Sequence, residues 1–227
     1  TELEMIVKAD AHYVADYEDR VLYPEGGDGD DDIEVEQKPG DGKIDVTVTD
    51  KDGDGKVEIP FGPILDEAGE NDKAHTEILV EFDDGYFVEI VLTPEELQDI
   101  LEALRELLMA GGYDNEDVGF LVSRGNGTVN GKPAVVYGVT FLVDGQPVSL
   151  PGGSGNTVNL NAAALTDPEI EYNIYVKDEN GNFVEVEFTV IGTDAWGRPV
   201  VEFTTPVYGD IYVVAEPKQY AVESLPS

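Results

Sequence analysis

The chain has no cysteine, which excludes a disulfide framework and thiolate chemistry. It is also short of cations, with 13 lysines and arginines against 49 aspartates and glutamates and a formal net charge of −36. A surface of that sign repels nucleic acid, whose binding needs a basic footprint, so no nucleic-acid partner is expected. Only two histidines occur, His12 and His75, and with no cysteine nearby neither has the spacing of a transition-metal ligand. No apolar run approaches the about 20 residues that a bilayer-spanning helix needs. A basic segment followed by an apolar one is also missing at Thr1, so if the protein is secreted its signal is expected to have been removed already. Ser123, Ser149 and Ser154 lack the strand-turn-helix context of a hydrolase nucleophile. No catalytic centre is legible, and the protein is not expected to be an enzyme.

Apolar residues make up 41% of the 227, enough for a sizeable core, so the acid does not mark a disordered tail. Most of the chain reads as short β-strands separated by turn signals such as Asp83-Asp84-Gly85, Asn126-Gly127, Asn130-Gly131, Asp144-Gly145, Asn180-Gly181 and Trp196-Gly197. This spacing predicts a mainly β protein, an antiparallel β-sandwich of jelly-roll-like form. Glu2–Lys8, Ala11–Tyr17 and Val21–Tyr23 form the opening segment. Thr76–Phe82 and Tyr86–Leu92 make the clearest hairpin, and Glu169–Lys177 with Phe183–Ile191 the next. One amphipathic helix is predicted at 93–110. Thr93 and Glu96 form a capping box, Pro94 opens the helix, and Gly111-Gly112 stop it. Leu97, Ile100, Leu101, Leu104, Leu107 and Leu108 supply its stripe. Glu67–Lys73 reads as a polar loop. The whole is expected to be a single domain over 1–227, with an acidic ion-binding insertion at 25–60 and a flexible tail at 216–227.

That insertion carries the chemistry. Asp50-Lys51-Asp52-Gly53-Asp54-Gly55-Lys56-Val57-Glu58 alternates carboxylates in a tight loop, which lets them point at one hard cation. Calcium seeks six to eight such oxygens. Asp50, Asp52 and Asp54 are the expected ligands, with the Lys56 carbonyl and Glu58 completing the set. The loop is similar to the first half of an EF-hand loop but departs from it at Phe61, where a bidentate Glu belongs, and its flanks are β-like. The missing oxygens must come from water, distant residues or another subunit. The alternative is a polar turn that binds nothing. A second candidate is Asp28, Asp30, Asp31 and Asp32, with Asp41 and Asp45 following, since acids so close repel unless counter-ions are present. Asp178, Asn180 and Asn182 share the alternate spacing, but a hairpin turn accounts for them.

A cysteine-free β-sandwich with a short N-terminal strand, one inserted helix and dense Asp/Gly loops resembles the subunits of calcium-dependent surface tubules, the cannulae of hyperthermophilic archaea. More distantly it resembles camelysin-like biofilm filament proteins. The resemblance implies an extracellular, cell-surface subunit that polymerises with itself when calcium binds, a terminal strand completing a neighbour's sheet. Few Met and Gln beside many Val, Glu and Tyr fit a thermophile, although few lysines do not. The alternatives are a calcium-stabilised carbohydrate- or surface-binding module, a glycan-acting hydrolase, and a halophilic domain without specific ions.

Overall fold

The protein is described from a computed structural model, over residues 3–8, 32–38, 42–150, 156–161, 170–178, 180–205 and 208–217. The expected Ala11–Tyr17 strand and Val21–Tyr23 lie outside these residues, as do Asp28, Asp30, Asp31, Asp41, His12, Ser154 and the tail beyond Pro217.

The structure is mainly β and forms a sandwich. The described residues form fifteen strands in chain order. They are β1 (Leu3–Lys8), β2 (Asp32–Lys38), β3 (Lys43–Thr49), β4 (Lys56–Pro60), β5 (His75–Glu81), β6 (Phe87–Leu92), β7 (Val118–Val129) and β8 (Lys132–Val143). After them come β9 (Gln146–Val148), β10 (Asn156–Asn161), β11 (Ile170–Lys177), β12 (Phe183–Val186), β13 (Phe188–Thr193), β14 (Pro199–Thr205) and β15 (Asp210–Pro217). The first sheet has the order β1-β2-β3-β5-β6-β10-β14-β13, and the second has β12-β11-β15-β8-β7-β4 with β9 beside β8. Among the described strands, pairing is antiparallel except between β3 and β5. A parallel pair needs a long crossover, and here the chain supplies it by visiting the second sheet as β4.

The period-two alternation seen in sequence decides which side chains enter the core. Ile44, Val46 and Val48 of β3 and Val88, Ile90 and Leu92 of β6 face inward from the first sheet, at 3% exposure or less. Val57, Ile59, Phe120, Val122, Tyr137 and Phe141 meet them from the second. The acidic stretch at 25–60 is therefore not an insertion, since its described part supplies β2, β3 and β4 to the two sheets.

Among the described residues two α-helices are present rather than one. The second, α2 (Pro94–Gly111), matches its sequence signals. Thr93 Oγ1 accepts from Glu96 N, the Glu96 side chain accepts from Thr93 N, and Gly112 closes the helix at φ +76°. Leu107 departs from the expected stripe and is 42% exposed. Thr93→Ala removes the cap and is expected to lower stability by about 1 kcal/mol, read as a few degrees in a circular-dichroism melt. The other helix, α1 (Gly62–Glu70), takes in the first part of Glu67–Lys73, expected as a polar loop. Gly69 inside it and the absence of a side-chain cap hide it in sequence, and tertiary burial of Ile64, Leu65, Glu67 and Ala68 holds it. Gln98 Nε2 of α2 donates to the Ala68 carbonyl at 2.6 Å.

Both helices sit at one end of the sandwich. α1 joins the end of β4 to the start of β5, and α2 joins the end of β6 to β7 through a 3-10 turn at Asn115–Asp117. Phe61, Phe120, Phe141 and Tyr208 cluster below them, with ring centroids 4.9–5.4 Å apart. The opposite end carries the β3–β4 loop, the β5–β6 turn and the β13–β14 turn.

Three further expectations change. Asn126-Gly127 lies inside β7 rather than in a turn, because β7 and β8 form one long hairpin closing at Asn130-Gly131. The run Phe183–Ile191 divides at Glu187, β12 joining the second sheet and β13 the first. Glu2–Lys8, expected as a free terminal strand, contributes β1, which pairs with β2 of its own chain.

Candidate metal centre

The loop between β3 and β4 crosses from one sheet to the other, so its ends are fixed by both. Asp50 N donates to the Glu81 carbonyl at 2.8 Å, and Arg124 N donates to the Gly55 carbonyl at 2.7 Å. Gly53 and Gly55 take φ +72° and +76°, the left-handed region that favours glycine. A Cβ at Gly55 would also stand 2.6 Å from the Arg124 carbonyl oxygen.

Asp50 is 2% exposed. Its Oδ1 accepts from Gly53 N at 2.8 Å and its Oδ2 from Gly55 N at 3.0 Å. Asp52 Oδ1 accepts from Asp54 N at 2.9 Å, and Asp54 Oδ1 from Lys56 N at 2.7 Å. These bonds turn the three side chains toward one point of the loop, Asp50 buried and Asp52 and Asp54 exposed, and their carboxylate oxygens lie within 4.8 Å of one another. An ion with Ca–O distances of about 2.4 Å touches oxygens up to about 4.8 Å apart, so one cation fits among them.

Pairing orients the next ligand. Gly55 bonds β7 through Arg124. In an antiparallel ladder the following residue, Lys56, then turns its backbone groups away from β7. Its N–H goes to Asp54, and in an extended strand the carbonyl of the same residue points to the same side as its N–H. Val57, 1% exposed, ties the loop to the core.

The sequence did not single out Asp83. It sits in the β5–β6 turn, and its Oδ2 is 2.8 Å from where a Cβ on Gly53 would stand. Asp50, Asp54, Asp83 and Asn126 share a recess of about 280 Å³. The Asp83-Asp84-Gly85 signal was visible but was explained by the hairpin alone. Nothing local indicates that this turn meets the β3–β4 loop. The next acid, Asp84, is bound otherwise, its Oδ2 lying 2.5 Å from Arg124 Nη1.

Two expected ligands are elsewhere. Glu58 is on the exposed face of β4, with Oε1 2.8 Å from a Cβ built on Gly119. It leans along β7 toward Pro60 and away from the loop, because alternate β4 residues lie along the strand and not around a centre. Asp45 lies on the outer face of the first sheet, where Lys43 Nζ bridges it at 3.0 Å and Glu77 at 3.1 Å. For Asp32 only the backbone, within β2, is described.

Electrostatics separate this loop from two similar turns. Asp178 accepts from Asn180 N, Asn182 N and Asn182 Nδ2, and the Asn182 side chain leads in holding its carboxyl below the usual range. Asp194 accepts from Trp196 N and Arg198 N and pairs with Arg198 Nε at 2.6 Å. Each is a closed turn. Asp50 goes the other way. Burial, with Asp52 adding to it, pushes its carboxyl up despite the Gly53 and Gly55 amides. Its negative charge is under-compensated.

Beside the loop stands a stack of planar groups. Arg124 and Arg198 guanidiniums each lie 4.4 Å from the Tyr86 ring centre, and Arg198 is 4.8 Å from that of Trp196. Arg198 Nη2 also donates to the Gly85 carbonyl. Tyr137, buried below, has its phenol pushed up to about 12, chiefly by burial.

No helix of the described residues is long and apolar enough to cross a membrane. No family model, curated protein or solved structure matches the chain.

Proposed function

We propose that this protein is a calcium-binding extracellular structural subunit, with calcium held by Asp50, Asp52, Asp54 and the Lys56 carbonyl, and with Asp83, on the same recess, reaching it through water. The observation that carries the reading is the convergence of three carboxylates within 4.8 Å around a buried Asp50. A hard cation supplies the compensation that Asp50 lacks. Surface sites with several exposed ligands are weak, and outside cells calcium is abundant enough to fill them. Filling them lowers the self-repulsion of a chain at −36, so calcium favours assembly of copies into filaments or tubes.

The test is a calcium titration followed by calorimetry and light scattering, with EDTA reversal. At about 100 times the Kd the native state gains about 2.7 kcal/mol, a melting rise of about 5–10 °C for a chain of this size. Scattering is expected to rise with it and fall after EDTA. No melting shift up to about 10 mM calcium, the weak end of such sites and beyond, removes the ion from the reading. A melting shift without scattering removes assembly and leaves a calcium-stabilised binding module. One observation favours that second reading, namely that Trp196 is 69% exposed on a turn pinned by Asp194 and Arg198. A rigid exposed indole is a platform for a sugar ring, and retention on a glycan array separates the two.

A further inference from the structure

β12 and β13 follow one another around Glu187 and end the second and first sheets respectively. Among the described residues β12 pairs only with β11, and β13 only with β14. This side of the sandwich is therefore bordered by two edge strands in succession. Register puts Val184 opposite Val176 and Val190 opposite Val201. Directly opposed residues share a face, and Val176 and Val201 are core residues at 3% and 0% exposure. Val184 and Val190 thus lie on the core-facing side, yet they are 46% and 54% exposed. Ile191, at the register shift between Val190 and Gly192, is 50% exposed.

Edge strands are ordinarily blunted by charge or proline. β4 follows the rule with Lys56, Glu58 and Pro60, and β12 has Glu185. β13, FTVIGT, has no charged residue and no proline. In a chain with 49 acidic residues, almost any approach of two copies sets acid against acid. β13 itself carries no acid, and of the two acids at its ends, Glu187 and Asp194, the second is neutralised by Arg198 at 2.6 Å.

We infer that β13 is an interface between two copies of this chain, pairing antiparallel with its equivalent about a two-fold axis and covering Val184, Val190 and Ile191. A two-fold contact is self-complementary. It sets uncharged edge on uncharged edge and continues the first sheet across both copies. The contact needs no calcium and stands apart from the ion site at the loop end.

Sedimentation equilibrium of the full chain in EDTA, at about 0.15 M salt where exposed charges are screened beyond about 8 Å, tests it. The expected mass is twice 24.6 kDa. Ile191→Glu and Ile191→Lys are each expected to return it to one copy with unchanged circular dichroism. Packing is broken by either charge, whereas a net-charge effect responds to only one sign. Hydrogen exchange on the unmodified chain adds a second reading, with β13 amides expected to exchange at least tenfold faster on dilution to monomer. A wild type of 24.6 kDa throughout the concentration series, a dimer that survives both substitutions, or β13 exchange independent of concentration overturns the inference. Because EDTA is present throughout, failure of the calcium reading leaves this result unaffected.

Discussion

Asp50→Ala is expected to abolish the calcium-dependent rise in melting temperature and to leave the chain folded. Asp50 is the buried member of the cluster and the one whose oxygens are fixed by two loop amides. Its removal deletes the inner ligand and frees the loop that aims Asp52 and Asp54. Losing an acceptor costs a buried donor about 1–3 kcal/mol. The Gly53 and Gly55 amides border an open recess that admits water, so the expected loss in calcium-free buffer is at the low end, about 1 kcal/mol.

The protonation of Asp50 gives this prediction a pH dependence. Its carboxyl is pushed up in the folded state, so the folded chain holds that proton more tightly than the unfolded chain does. The group's contribution is favourable below the ordinary aspartate range and is lost as pH rises through the raised value. At neutral pH without an ion, the Asp50 charge therefore opposes folding, and calcium at the proposed site would reverse this. Calcium must displace the proton, so on acidification the melting shift should disappear at a higher pH than an ordinary aspartate would give. Paired melts of wild type and Asp50→Ala, with calcium and with EDTA across that range, read both effects. A full calcium shift in Asp50→Ala would place the ion elsewhere.

Phe141→Ala is expected to cost about 3–5 kcal/mol. Phe141 is 1% exposed, and its ring centre lies 5.0 Å from Phe61, 4.9 Å from Phe120 and 5.0 Å from Tyr208. Those rings come from the lead-in to α1, from β7, and from the residues before β15. They cannot collapse into the void without moving the helical end of the sandwich. A melting point lower by about 6–20 °C is expected, with the calcium increment preserved because the ion site is at the other end. A drop of only a degree or two would mean that the cluster is not a shared packing centre, and loss of the calcium increment would mean that the two ends are coupled.

Much of this architecture is local in origin. The β5–β6 hairpin follows from an Asp-Gly turn between alternating runs, and α2 from Thr93, Glu96 and Gly112, because caps and turns are settled within a few residues. Asp50, Asp52 and Asp54 converge for the same reason, each bonding an amide two to five residues on. Where the reading failed, the deciding contact was distant. α1 has a proline, two glycines and no side-chain cap, and it is helical because Ile64 and Leu65 have a core to enter. Asn126-Gly127 has a turn's composition, yet β8 extends beside it and supplies a ladder.

The sequence by itself determined the class of the protein, its patterned strands, its one capped helix and the aspartate loop, since each rests on interactions within about a dozen residues. Tertiary structure alone decided which sheet each strand joins. It placed Asp83 beside the loop and turned Glu58 and Asp45 away from it. It also left β12 and β13 as neighbouring edges. Those outcomes depend on packing and register between segments tens of residues apart, and a one-residue change of register would send each of these side chains to the opposite face.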